Sequence, residues 1–100
     1  MKSIIQDESR GQCFLCVLLD GDTSRKYTEE HHVFFGTANR RLSEKYGLKV
    51  RLCVKHHREG PEAVHNNQQI RERLSRIGQR AFEKAYPDKN FREIFGKNYL

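Results

Sequence analysis

Cys13-Phe14-Leu15-Cys16 and Cys53-Val54-Lys55-His56 each place two soft ligands three positions apart, and 36 residues separate the pairs. Zinc favours four tetrahedral ligands drawn from thiolate and imidazole, commonly as two such close pairs. Cys13, Cys16, Cys53 and His56 are therefore expected to hold a structural Zn2+. That ion would be closed to chemistry, because the protein fills all four positions. A Cys53-x3-His57 pairing would exchange the roles of His56 and His57, and spacing alone leaves that exchange open.

With one histidine committed to the clip, His31, His32, His65 and the other member of the His56-His57 pair remain. Hydrolysing a phosphodiester needs an in-line hydroxide and stabilisation of the charge that develops on phosphate and leaving oxygen. A neutral imidazole can take the proton from water. A catalytic divalent metal (Mg2+, Mn2+, Ni2+ or Zn2+) on two or three ligands would supply the rest. Neighbours on a strand face opposite ways, so His31 and His32 are expected to divide the work between cation and water. His57 would be held rigidly by the adjacent clip, and His65 is close enough in sequence to face the same pocket. The contrasting expectation is a non-catalytic, zinc-stabilised nucleic-acid-binding module. It explains the clip and the charge but leaves His31, His32 and His57 without a role. A zinc-stabilised protein-interaction module using the last two helices is a third.

These residues need elements to position them. Ile4-Ile5 suggests a short strand. Cys13 to Leu19 followed by Asp20-Gly21-Asp22 reads as a short N-terminal hairpin around a zinc knuckle. Tyr27 to Phe35 is aromatic and β-branched and reads as a strand. Asn39 to Tyr46 is a helix stopped by Gly47, and Leu48, Val50 and Leu52 alternate as a second strand that delivers Cys53. Pro61 opens a long amphipathic helix over about 61–86, ended by Tyr86-Pro87, with His65 in its first turn. Phe91, Ile94 and Phe95 form a last short helix, whose apolar residues, with Tyr99, leave a monomer or weak dimer open.

At 100 residues with 36% hydrophobic content, the chain can bury only a thin core, so a metal staple is expected. Three cysteines, no apolar leader and no membrane-length apolar run point to a reduced, cytoplasmic protein without a membrane partner. The net charge of +6 is uneven: −2 over residues 1–39, +5 over 40–60 and +3 over the rest. The positive charge surrounds the second histidine pair, which favours a polyphosphate partner. Arg40, Arg41, Lys45, Lys49, Arg51, Lys55 and Arg58 are the expected DNA contacts, supplemented by the helix face of Arg71, Arg73, Arg76 and Arg80.

The Cys-x2-Cys, the His31-His32 pair and Leu52-Cys53-x2-His56-His57 together resemble the HNH endonucleases of the ββα-metal superfamily. They look most like the zinc-containing phage-type members, which include recombination nucleases of phages. The resemblance covers residues 13–65 and implies one α+β treble-clef domain over 1–100, with a C-terminal helical extension over 66–100. It implies that His32 is the general base, that His31 and His57 bind the catalytic metal, and that His65 is a third ligand or a phosphate contact. A recombination or packaging protein is the partner class it suggests. Two departures stand out: Leu48 occupies the place of the family's bracing Asn, and His56 replaces its usual fourth Cys.

Overall fold

A computed structural model describes all residues, 1–100. Four helices and two strands follow in the order α1 (Phe14–Asp20), β1 (Glu29–His32), α2 (Thr37–Tyr46), β2 (Lys49–Leu52), α3 (Gln68–Ala85) and α4 (Phe91–Phe95). A 3-10 turn at Glu8–Arg10 and a π-helical turn at Lys55–Glu59 complete the list. The class is α+β. No helix is long and apolar enough to cross a membrane.

The two strands pair antiparallel, with His31 opposite Val50 and His32 opposite Lys49. Their connection is the whole of α2. Gly47 ends that helix at φ 73°, where its N–H reaches back to Glu44 and Ser43 carbonyls. A side chain would be strained in that left-handed conformation. Val50 and Leu52 point into the core from one face of β2, and Val33 and Phe34 follow β1 into it. Phe82 of α3 stacks among Tyr46, Tyr86, Phe91 and Phe95, which fastens the C-terminal helices to the sheet and α2.

Several expectations need correction. Residues 14–20 form α1, not an arm of a hairpin. Cys13 caps that helix by accepting from the Cys16 N–H, and Gly21 closes it, so the expected turn is a helix stop. Ile4 is not in a strand; its N–H donates to Gly47 O, beside β2. β1 is shorter than the expected 27–35 strand, since Tyr27 and Phe35 lie outside it and are exposed. α3 starts at Gln68 rather than Pro61, because Asn67 caps it by accepting from Ile70 N–H. His65 therefore sits in the turn before the helix. Phe91 and Phe95 are buried in the chain's own core, and Ile94 and Tyr99 are partly buried against it.

Candidate metal centres

Cys13 and Cys16 come from the start of α1, and Cys53 and His56 from the end of β2 and the π-turn. All four ligand atoms lie within 4.8 Å of one another. A zinc tetrahedron with Zn–S near 2.3 Å and Zn–N near 2.0–2.1 Å has edges of about 3.5 Å for S···N and about 3.8 Å for S···S. His56 Nδ1 lies 3.6, 3.3 and 3.5 Å from the sulfurs of Cys13, Cys16 and Cys53. Cys16 Sγ lies 3.8 Å from Cys53 Sγ. The four residues could hold a structural metal such as zinc, and His56 rather than His57 belongs to this cluster.

The surroundings fit a cation. His56 is 1% exposed and its Nε2 has no partner, so the ring's burial is offset only through Nδ1, which faces the three sulfurs. Burial, with Cys13 beside it, pushes the Cys16 thiol up to about 12. Three thiolates cannot share this space without positive charge. Lys26 supplies some, placing Nζ 3.3 Å from Cys16 Sγ while it pairs with Asp22 at 2.8 Å.

The second cluster lies on the other side of the π-turn. His31, His57 and His65 bring their ring nitrogens within 4.8 Å of one another. Their ring centroids are 4.9–5.4 Å apart. Burial, with His57, His65 and His32 nearby, holds the His31 pKa down at about 3. Burial and the adjacent His57 and Arg71 also lower that of His65. Both rings therefore keep lone pairs for a cation at neutral pH.

Strand alternation sends Glu29 and His31 to one face of β1, and Glu30 and His32 to the other. On the first face, Glu29 Oε1 sits 2.8 Å from His57 Nδ1. The Arg58 fork at 3.1 Å, then His57, holds the Glu29 carboxyl down at about 2, so it can only accept. His57 must donate from Nδ1, which leaves Nε2 to the cluster.

On the second face, His32 Nε2 lies 3.0 Å from Glu44 Oε1 and 3.6 Å from Glu30 Oε1. Hydrogen bonding from His32, the terminal amine of Met1 and Lys49 holds Glu44 down at about 2. Nε2 is again the donor, and Nδ1 keeps the lone pair. Glu30, His32 and Glu44 also have ligand spacing. The Lys49 ammonium lies 3.4 Å from Glu30 and 3.1 Å from Glu44 and already supplies these carboxylates with a positive charge.

One pocket of about 280 Å³ joins the faces, lined by His31, His57 and His65 together with Glu30, His32, Phe35 and Arg40. Of the expected DNA contacts, Arg40, Arg41, Lys45, Lys55 and Arg58 are exposed. Lys49 is buried in its ion pairs, Arg51 donates to Thr28, and Arg58 holds Glu29. Sequence reasoning missed Glu29, Glu44 and Lys26. Glu29 was findable as the residue two before His31 on the same strand face; Glu44 and Lys26 carried no local signal. Comparison of the chain with protein-family models, with curated proteins and with solved structures found no match in any of the three.

Proposed function

We propose that this protein is a metal-dependent endonuclease of the HNH type that hydrolyses DNA phosphodiester bonds. One observation carries the proposal: three imidazoles converge on a pocket that also admits His32 and Arg40. The sequence of cysteine knuckle, two-stranded sheet, second ligand pair and helical turn supports a treble-clef, ββα-metal domain. In it, zinc at Cys13, Cys16, Cys53 and His56 would be structural. A bound divalent cation at His31, His57 and His65 would supply charge stabilisation for the phosphate and the leaving oxygen.

The chain's own residues account for the remaining steps. His32 takes the proton from the attacking water at Nδ1, while Glu44 fixes its ring through Nε2. Glu29 fixes the His57 ring, and Arg40 faces the phosphate with a fork of donors. His31 stays neutral because burial disfavours its charged form.

Cleavage of plasmid and of single-stranded circular DNA with added Mg2+, Mn2+, Ni2+ or Zn2+ tests the proposal. Wild type should cut. His32→Ala should lose cleavage while keeping its fold, one bound zinc and DNA affinity. A wild type that shifts DNA but cuts with none of these metals would leave a zinc-stabilised binding module as the function.

A further inference from the structure

Among the ten aromatic side chains, only Tyr27 and Phe35 are largely exposed. A lone exposed Phe is ordinary on a protein surface. Phe35 is distinguished by where it stands. Its neighbour Phe34 is 2% exposed and packs on Phe91, Phe95 and Tyr99, whereas the Phe35 side chain turns outward and is 51% exposed. Its ring centroid lies 6.3 Å from that of His31 and 6.4 Å from that of His65. Phe35 therefore forms a wall of the histidine pocket.

Phe35 also borders a second, larger depression of about 980 Å³ along α2. Arg40, Arg41 and Lys45 line that depression and are exposed, while Glu30 and Glu44, which also line it, are ion-paired with Lys49. Arg40 and His32 line both hollows. An apolar ring thus stands between a cation-binding cluster and a cationic trough. This is the combination that single-stranded nucleic acid requires, since bases stack on aromatic faces while basic side chains follow the backbone. A base inside a duplex is already stacked on both sides and offers no face to Phe35.

We infer that Phe35 is a stacking platform for an unpaired base next to the phosphate that enters the histidine pocket, so that the DNA taken here is single-stranded or locally unpaired. The inference rests on the proposed nuclease function for its scissile phosphate, but its base-binding half can be tested alone. The occupant is a DNA strand: the trough is cationic, and apolar surface at its mouth is confined to one ring.

The test is fluorescence anisotropy with protein holding one zinc per chain and no further divalent metal, so that the histidine cluster is empty and nothing is cut. The probes are a labelled short oligothymidylate and the same strand annealed to its complement. Wild type should bind the single strand more tightly. Phe35→Ala and Phe35→Leu should each lose about ten- to a hundredfold on the single strand, the range that base stacking supplies, with duplex affinity unchanged. Phe35→Trp should restore single-strand binding. Equal losses on both probes, no loss, or full activity of Phe35→Leu would overturn the inference. A protein that cuts no DNA yet shows this Phe35 dependence refutes the nuclease and keeps the platform. A protein that cuts duplex plasmid equally well with and without Phe35 does the reverse.

Discussion

Glu29 and His57 lie 28 residues apart in sequence, yet Glu29 Oε1 and His57 Nδ1 are 2.8 Å apart. Because Arg58 keeps Glu29 ionised, this contact decides which His57 nitrogen faces His31 and His65. Glu29→Ala frees the ring to rotate and removes its acceptor. Calorimetric titration of the zinc-loaded protein with Mn2+ should show affinity at the histidine cluster down by about 10–100-fold, with zinc content unchanged. Unaltered Mn2+ affinity would show that the ring is oriented by packing alone.

Glu44 does the same for His32, at a different step. Under the proposed mechanism, losing it would leave the base in place but poorly aimed. Glu44→Ala should lower kcat by about tenfold to a hundredfold with little change in KM. That is less than the roughly 10²–10⁴ expected when a general base is removed outright. Glu44→Gln, which keeps an acceptor oxygen, should recover part of the rate. A change confined to KM would place Glu44 in substrate binding instead.

The thiolate cluster should behave as a folding site. Elemental analysis of wild type should give one tightly held zinc, lost in Cys13→Ser. Structural zinc contributes about 10–16 kcal/mol of apparent binding energy in small domains, comparable to or above the entire stability of a typical domain. Circular dichroism of Cys13→Ser, or of wild type after strong chelation, should therefore show loss of native helix. A fully folded zinc-free variant would demote the metal to an accessory.

His31 gives the protein a pH dependence with a definite sign. Burial lowers its pKa from 6.5 to about 3 in the fold. Between those values the unfolded chain binds a proton that the folded chain does not, so stability rises with pH across the window. The contribution is fully present above about 6.5 and drains away as pH falls towards about 3. Urea unfolding at neutral pH and near pH 5 should thus show wild type losing more stability than His31→Asn.

The aromatic core should be the costliest place to cut. Phe82 is fully buried and its ring meets those of Tyr46, Tyr86, Phe91 and Phe95. Phe82→Ala should cost about 3–5 kcal/mol, measured by urea unfolding of the zinc-loaded protein. A cost under about 1 kcal/mol would mean that the C-terminal helices are not integral to the domain.

The chain's linear pattern determined the four residues that could hold a structural metal, the second strand, α2 and the last helix, because each is written in local spacing. Cys-x2-Cys and Cys-x2-His are legible without a fold, and Leu48, Val50 and Leu52 state their period directly. Alternation on β1 also announced that His31 and His32 would separate, and they do. What stayed hidden depends on contacts between distant elements. The stretch from Phe14 to Asp20 has apolar residues at nearly every position, so periodicity could not separate strand from helix; the Cys13 cap and the packing of Leu15 and Cys16 chose helix. Whether His56 or His57 turned to the sulfurs was decided by how the π-turn leaves β2. Glu44 reaches His32, and Arg58 reaches Glu29, only because α2 and the π-turn fold back beside β1. Chain spacing records none of these approaches, since their distances are set by packing and not by sequence separation.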